Sequence, residues 1–318
     1  MGPSSAPLLS VEQVSLSYDG LRHAVSELSF SVQAGSIFAL VGPNGAGKTS
    51  TLRMLATLAE PTLGVIRVDG VDAARDREAV RRRVGYLPDN FALYDQMTPV
   101  EYLAFFARLY GVDAKIQASR IDGLLEEFDL TQKRASAIRT LSRGMRQRLG
   151  VAKTLVHDPK VLLLDEPASA LDPGARLKLR EALLRLRRRG IAVLISSHIL
   201  PDLSGLADAV GIMEGGRMIH CGAIDDVASQ ARGARVVYGI DVQKSDPARR
   251  AIADFGSRIV SSEETTPGHF EVTVDGGPDV VADLVDALVL RGARVSHVAP
   301  RESALEAVYR ASAAAQVA

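Results

Sequence analysis

The segment at residues 42–49 combines glycines, a lysine and a threonine at the spacing of a phosphate-binding loop. It reads Gly-Pro-Asn-Gly-Ala-Gly-Lys-Thr, which fits the pattern G-x-x-x-x-G-K-[ST] in full. An apolar, strand-like run at residues 36–41 precedes it, and a helix-favouring run at residues 50–58 follows it. Glycines let successive backbone amides converge on phosphate oxygens, and the helix N-terminus adds partial positive charge. The segment therefore predicts a site for a nucleotide phosphate.

The loop offers two side chains with distinct chemistry. We expect Lys48 to pair with the β and γ phosphates and Thr49 to offer its hydroxyl to Mg²⁺. A glycine-rich turn with an incidental lysine is the plainer alternative, but it does not account for the complete match. The residues predicted to bind the nucleotide here are Gly42, Pro43, Asn44, Gly45, Ala46, Gly47, Lys48, Thr49 and Ser50.

Two carboxylates follow the continuous apolar run at residues 161–164, which has the character of a strand buried on both faces. In open α/β sheets, ligands bind at the carboxyl ends of the strands. We expect Asp165 to hold the hydration shell of Mg²⁺ and Glu166 to act as general base for the attacking water. Two acids that simply begin a loop are common, but the phosphate loop upstream gives this pair a metal to bind.

A third apolar run, at residues 191–195, leads to His198. If the strands are parallel, this run brings an imidazole to the same edge of the sheet, where it can contact the γ-phosphate. The remaining histidines lack such a setting, and we expect surface or core positions for His23, His157, His220, His269 and His297. The predicted catalytic residues are thus Lys48, Glu166 and His198.

In this order, the motifs resemble the ATP-binding-cassette (ABC) family of ATPases over about residues 8–230. The family's Walker A loop, signature motif, Walker B motif, D-loop and switch histidine correspond to residues 42–49, 141–145, 164–166, 169–172 and 198. The resemblance implies a P-loop α/β domain with a mixed sheet, an N-terminal β layer and a helical subdomain at about residues 90–157.

In this family the signature motif of one subunit covers the nucleotide held by the phosphate loop of another, so bound ATP holds a dimer together. This chain carries each motif once, which implies a partner, most simply a second copy of itself. Ser142 and Gly144 would contact the γ-phosphate across the interface, although alone they indicate a helix cap. Asp172 of the D-loop joins the implied nucleotide site. Tyr18 matches the aromatic that stacks on adenine, although an aromatic at a strand end is more often a core residue. The implied cofactors are ATP and Mg²⁺.

Two motifs depart from the family's usual pattern. The signature has Arg143 and Met145 where glycine and glutamine are usual, and Asp89 stands where most relatives carry the glutamine of the Q-loop. We expect Asp89 to join the nucleotide site by binding Mg²⁺ or the attacking water, since a carboxylate near the γ-phosphate repels it unless a metal lies between them. Both departures resemble the branch that serves ABC-2-type exporters, which includes daunorubicin-resistance-like pumps.

Composition and charge limit the class of protein. The chain has 318 residues, 47% of them hydrophobic, and a net charge of zero, which argues against dedicated nucleic-acid binding. We expect no secretory signal in residues 1–10, and no run of about 18 apolar residues occurs. The single cysteine, Cys221, permits no internal disulfide. We therefore expect a cytoplasmic protein that meets the inner face of the cell membrane through a separate permease.

The sequence pattern changes in the last third of the chain. We predict an ABC ATPase domain at residues 8–232 and an accessory α+β domain at residues 233–312, with the ferredoxin-like order β-α-β-β-α-β. A short amphipathic helix is expected at residues 302–309. No catalytic constellation occurs beyond residue 222, so we interpret the second domain as dimer-stabilising or regulatory, with a small-ligand sensor as the alternative.

An aromatic helix is predicted within the first domain. Thr98 caps it, a first-turn proline follows, and aromatic residues then recur through residues 102–110. These rings cover more than half of the helix circumference, which is too much for one buried stripe. In ABC ATPases the helical subdomain receives the coupling helices of the membrane subunit, so the rings either meet such a partner or pack within the subdomain.

These observations predict the ATP-hydrolysing subunit of an ABC-2-type exporter that works through a separate membrane permease. One alternative is a soluble ABC ATPase acting on DNA or ribosomes, although such proteins typically carry two cassettes or a long coiled-coil insertion, and this chain has neither. The other alternative is a regulatory nucleotide-binding module with impaired hydrolysis, which the departures at Asp89, Arg143 and Met145 suggest.

Overall fold

The computed structural model describes residues 6–301 except 170, 200–202, 204, 225, 228–234 and 277. The chain divides into two compact units, Met1–Cys221 and Gly222–Ala318. The domain boundary predicted between residues 232 and 233 lies outside the described residues. Within the described ranges, every helix is too short or too polar to span a membrane.

The first unit contains two sheets and a set of helices. Its strands are β1 (Leu9–Ser17), β2 (His23–Val32), β3 (Ile37–Val41), β4 (Leu63–Val68), β5 (Val71–Asp72), β6 (Val84–Leu87), β7 (Val161–Leu164), β8 (Ala192–Ser197), β9 (Ala209–Glu214) and β10 (Arg217–Ala223), which runs into the second unit. Its helices are α1 (Lys48–Leu55), α2 (Arg77–Arg83), α3 (Pro99–Leu109), α4 (Ala114–Glu127), α5 (Arg143–Thr154) and α6 (Pro173–Arg188).

Three apolar strands deliver the candidate site to one edge of the larger sheet, whose order is β10-β9-β3-β8-β7-β6. Every residue of β3, β7 and β8 is buried, as expected of strands covered on both faces. β3 pairs in parallel with β8, and β8 with β7. Their carboxyl ends therefore lie together, which confirms that the phosphate loop, Asp165 and His198 follow neighbouring strands.

The smaller sheet forms the predicted N-terminal β layer. It is antiparallel, in the order β2-β1-β4-β5. Its apolar face shares one hydrophobic core with the larger sheet, in which Leu9 and Phe30 pack with Leu40 and Leu163. The rings of Phe30 and Phe38 stack with centroids 4.9 Å apart, which joins β2 to β3. This packing holds the strand that carries the phosphate loop.

Helices α3, α4 and α5 occupy the region predicted as the helical subdomain. The capping box at Thr98 and Glu101 starts α3 where the sequence predicts. Tyr102 is buried, whereas Phe105 and Phe106 are half-buried and meet edge to face with centroids 5.2 Å apart. The rings thus pack partly within the subdomain. Tyr94 is exposed and lies edge to face with Phe105, so an aromatic surface also faces outward.

The second unit has the predicted ferredoxin-like order. Its elements are β11 (Arg235–Val242), α7 (Ser245–Asp254), β12 (Ile259–Thr266), β13 (His269–Asp275), α8 (Pro278–Leu290) and β14 (Val295–Pro300). The sheet is antiparallel, in the order β12-β13-β11-β14. Phe270 and Val272 of β13 share a core with Ala248 of α7 and Leu284 of α8, so one face of the sheet is covered by both helices. The helix predicted at residues 302–309 lies outside the described residues.

Candidate active site

A cavity of about 220 Å³ lies at the carboxyl edge of the larger sheet. It brings together most of the predicted site, being lined by Ala24, Pro43, Asn44, Gly45, Ala46, Gly47, Lys48, Thr49, Ser50, Asp89 and Glu166. A second cavity of about 340 Å³ also reaches Glu166, but its other walls are largely apolar side chains of α6 and of the segments after β7 and β8. Apolar walls do not suit a triphosphate, so the cavity at the phosphate loop is the nucleotide candidate.

The phosphate loop has a backbone that only glycine adopts readily. Gly45 and Gly47 have φ angles of 85° and 101°, in the left-handed region. A Cβ on Gly47 would lie 2.6 Å from the carbonyl oxygen of Ala24, and one on Gly42 would lie 2.3 Å from that of Met213. No side chain caps α1, so its first-turn amides are left to an anionic ligand.

Lys48 is held inside this loop. Its side chain is 6% exposed, and its Nζ donates to the carbonyl oxygens of Gly42 at 2.7 Å and Pro43 at 3.2 Å. Nζ also lies 3.5 Å from Oε1 of Glu166. Because a buried ammonium needs partners, these contacts fix the charge where the sequence places phosphate oxygens.

Glu166 links the lysine to the histidine. Its Oε2 lies 2.8 Å from Nδ1 of His198, while its other carboxylate oxygen faces Lys48. Its backbone has a φ of 47°, which is uncommon for a residue with a side chain and costs about 1–3 kcal/mol. Such strain persists where the surroundings impose it, as at catalytic positions. The carboxylate is thus oriented on both sides, as a general base requires.

Asp165 has one carboxylate oxygen bonded and one free. Oδ1 accepts a hydrogen bond from the hydroxyl of Ser196 at 2.6 Å. Oδ2 is buried and has no hydrogen-bond partner among the described residues. A buried carboxylate oxygen without a partner is costly unless a ligand meets it. This orphaned oxygen fits the predicted role of Asp165 towards Mg²⁺, although Asp165 does not itself line the cavity.

The metal would depend on few protein ligands. Among the described residues, no group of three or more histidine, cysteine, aspartate or glutamate side chains could hold a metal ion. Mg²⁺ usually keeps several waters and is bound through one or two protein groups plus substrate phosphates. Thr49 and Asp165 suit that mode, because a triphosphate in the cavity would supply the remaining oxygens.

Asp89 lies in the cavity as predicted, close to the other acids. Burial raises the pKa of its carboxyl, and the charges of Asp165 and Glu166 raise it further. His198 and Arg143 act in the opposite direction but more weakly. The raised pKa reflects burial first and the neighbouring acids second, and a cation or the donors of a bound nucleotide would offset both effects.

Tyr18 is an exposed residue at the margin of the loop. Its side chain is 62% exposed, and its hydroxyl donates to Oγ of Ser50 at 3.2 Å. The alternative of a core position for this aromatic is therefore wrong. An exposed ring tethered to the phosphate loop is free to stack on a flat base.

Ser142, Gly144 and Asp172 do not line this cavity. Ser142 caps α5 by accepting from the backbone N–H of Met145 at 3.3 Å, and Asp172 caps α6 by accepting from that of Ala175 at 2.9 Å. A Cβ on Gly144 would lie 2.6 Å from the Cβ of Ala175, so α5 and α6 meet closely there. Within one chain these residues serve helix ends, and a nucleotide role for them requires a second copy.

One residue of the site was not predicted. Ser196, buried in β8, contacts both acids that follow β7, since it also accepts a hydrogen bond from the backbone N–H of Glu166 at 2.9 Å. The available signal was a serine that continues an otherwise apolar, strand-like run.

Known proteins resemble this chain over most of its length. A family model described as ABC transporter matches residues 25–169, which include the phosphate loop and both acids. The Nod factor export ATP-binding protein I of Ralstonia nicotianae is 39% identical over 267 residues, covering 83% of this chain and 82% of that protein. The daunorubicin resistance ATP-binding protein DrrA3 of Streptomyces coeruleorubidus is 37% identical over 217 residues, covering 68% of this chain and 69% of that protein.

A solved structure gives the same result for the fold. The structure described as an ATP binding subunit of an ABC transporter is 32% identical, with a TM-score of 0.64. It covers 70% of this chain, and this chain covers 92% of that one.

Proposed function

The chain belongs to the family of ABC transporter ATP-binding proteins, and from this membership we propose that ATP hydrolysis at this site drives export through a separate membrane permease. The family binds ATP and couples its hydrolysis to transport. The observation that carries the proposal is the line of contacts from Lys48 through Glu166 to His198, beside a glycine-rich loop that leaves helix amides to an anion.

Hydrolysis in this proposal depends on groups that the chain already holds in place. Glu166 accepts a proton from the water that attacks the γ-phosphate, and His198 keeps its carboxylate oriented. Lys48 neutralises negative charge on the phosphate oxygens. Thr49 and Asp165 would hold Mg²⁺, which when bound would neutralise charge on the β and γ phosphates.

A second copy of the chain completes the proposed site. Ser142 begins α5, whose N-terminus is a ready anion site, and that terminus lies outside the cavity of its own chain. In a face-to-face dimer, Ser142 and Gly144 would reach the nucleotide held by the other copy, with Asp172 close by. The proposal therefore includes an ATP-dependent homodimer.

The permease is the second proposed partner. Tyr94 and the half-buried Phe105 present aromatic surface on the helical subdomain, which suits the apolar side of a coupling helix. Relatives are named for Nod factor export and daunorubicin resistance, which supports export as the direction. The chain would then lie in the cytoplasm, on the inner face of the cell membrane. No observation on the site favours the alternatives of DNA or ribosome binding.

Replacing Glu166 by glutamine tests the proposal. We expect Glu166→Gln to bind ATP, to hydrolyse it about 100-fold to 10,000-fold more slowly, and to accumulate as a dimer. Phosphate release and sedimentation with ATP and Mg²⁺ measure both effects, and dimerisation without ATP is the control. Turnover at the parent rate would show that Glu166 is not the base.

Purification from membranes tests the permease. A polytopic membrane protein should accompany the parent chain, whereas recovery with ribosomes or DNA in its place would contradict the transport function.

A further inference from the structure

We propose that Ser196 is a positioning residue for ATP hydrolysis, because its one hydroxyl holds both Asp165 and Glu166. The inference rests on the function proposed above and adds a residue to it. Ser196 has no exposed surface and belongs to β8, so it cannot touch the nucleotide and must act through the two acids.

The hydrogen bonds of Ser196 run in a fixed direction. Its hydroxyl has one proton, which it donates to Oδ1 of Asp165 at 2.6 Å. Its oxygen accepts the backbone N–H of Glu166 at 2.9 Å. The bond to Asp165 fixes the plane of its carboxylate, so the other oxygen, Oδ2, keeps its lone pairs for a ligand.

The bond to the Glu166 amide has a second consequence. It holds the backbone of Glu166, which has a φ of 47°. From that conformation the side chain reaches Lys48 at 3.5 Å and His198 at 2.8 Å. If the amide were released, the backbone could relax to negative φ, and the carboxylate would leave both partners. The hydroxyl of Ser196 thus orients the carboxylates of both Asp165 and Glu166.

A structural role alone is the competing explanation, and the chain contains a matched case. Ser15 is also buried in a strand, and its hydroxyl accepts the backbone N–H of Glu27 at 2.9 Å. Glu27 also has a positive φ, of 52°. Ser15 and Glu27 do not line the nucleotide cavity. Ser15→Ala therefore measures how much folding stability is lost with such a hydroxyl when the nucleotide cavity is unchanged.

The test compares Ser196→Thr with Ser196→Val, two side chains of nearly the same shape in which valine has a methyl group where threonine has the hydroxyl. We expect the threonine variant to keep kcat near the parent value. The valine variant should lose about 10-fold to 100-fold in kcat, with little change in the KM for ATP. Ser15→Ala and Ser196→Val should both lower the melting temperature, because each leaves a part-buried amide without its hydroxyl partner.

A binding measurement without turnover separates positioning of Asp165 from effects on chemistry. Mn²⁺ titrated against protein and ADP, and followed by electron paramagnetic resonance, should bind about 10-fold more weakly to Ser196→Val than to Ser196→Thr. Equal kcat and equal Mn²⁺ affinity in these two variants would overturn the inference. Glu166→Gln, assayed alongside, distinguishes that result from failure of the proposed function, which would leave the glutamine variant as active as the parent.

Discussion

Both units of the chain place a histidine against a carboxylate, and the surroundings of the two pairs differ. In the first unit, Nδ1 of His198 lies 2.8 Å from Glu166, and Nε2 has no hydrogen-bond partner among the described residues. In the second unit, His269 bonds to Asp241 through Nδ1, and Arg301 donates to its Nε2 at 2.8 Å. Arg301 also pairs with Glu271 at 2.7 Å, which extends the cluster.

The difference shows how a chemical site can be told from a structural cluster. Around His269 each charged group has a partner, because Arg301 pairs with Glu271 and the hydrogen bond from His269 lowers the pKa of Asp241. Around His198 the acids Asp89, Asp165 and Glu166 lie close together, and burial together with the charges of the other two acids raises the pKa of Asp89. Charges that lack compensation inside the protein are those that a ligand can compensate. We therefore assign the first pair to the proposed binding site and the second pair to stabilisation of a sheet face.

Replacing each histidine in turn should give the largest difference between the two histidine–carboxylate pairs. We expect His198→Ala to lower kcat for ATP about 100-fold or more, because Glu166 loses the group that orients it. His269→Ala should leave kcat at the parent value. Phosphate release measured for both variants at saturating ATP gives the result. Equal losses would mean that the two pairs do not differ in function.

A matched pair of glycines, one in each unit, tests whether backbone geometry matters for ATP binding only in the first unit. Gly47 and Gly268 both have left-handed φ angles, of 101° and 82°. A Cβ added to Gly47 would lie 2.6 Å from the carbonyl oxygen of Ala24, and one added to Gly268 would lie 2.6 Å from that of Val242. We expect each alanine variant to lose about 1–3 kcal/mol of folding free energy.

Only Gly47→Ala should also weaken binding of ATP, because its strain reshapes the loop that meets the phosphates. Thermal unfolding and titration with a fluorescent ATP analogue measure the two effects separately. If Gly268→Ala weakens ATP binding as much as Gly47→Ala does, the loop geometry is not what binds the nucleotide.

Local patterns were enough to predict the elements that carry the site. The capping box at Thr98, the apolar strand before Asp165 and the β-α-β-β-α-β order of the second unit all appear as predicted. Each depends on residues close together in the sequence. Boundaries were less accurate, since the helix-favouring run expected to reach Leu58 gives a helix that ends at Leu55.

Contacts between distant segments could not be predicted in this way. Ser196 meets Asp165 only because β8 lies beside β7, and its neighbour Ser197 has the same type but bonds locally to Ile199. The positive φ of Glu166 likewise follows from partners on other strands. Tyr18 follows Ser17, the last residue of β1, and is exposed, which an alternating pattern does not show.

The two aspartates with opposite pKa shifts give the smallest expected effect. For Asp89, whose pKa is raised, the stability contribution is present below the unfolded-state pKa of about 4 and is lost as pH rises through the folded-state pKa. For Asp241, whose pKa is lowered, the contribution is present above about pH 4 and is lost as pH falls through the folded-state pKa.

At neutral pH, without metal or nucleotide, Asp89→Asn should therefore melt at a higher temperature than the parent, and Asp241→Asn at a lower one. In acid, where both parent carboxyls are protonated, both differences should shrink towards zero, because the charge that distinguishes each variant from the parent is gone. Melting temperatures of the parent and both variants, recorded from neutral to acid pH in EDTA, measure these differences. If Asp89→Asn is destabilising at neutral pH, the carboxylate has a stabilising partner that outweighs both its burial and the charges of Asp165 and Glu166.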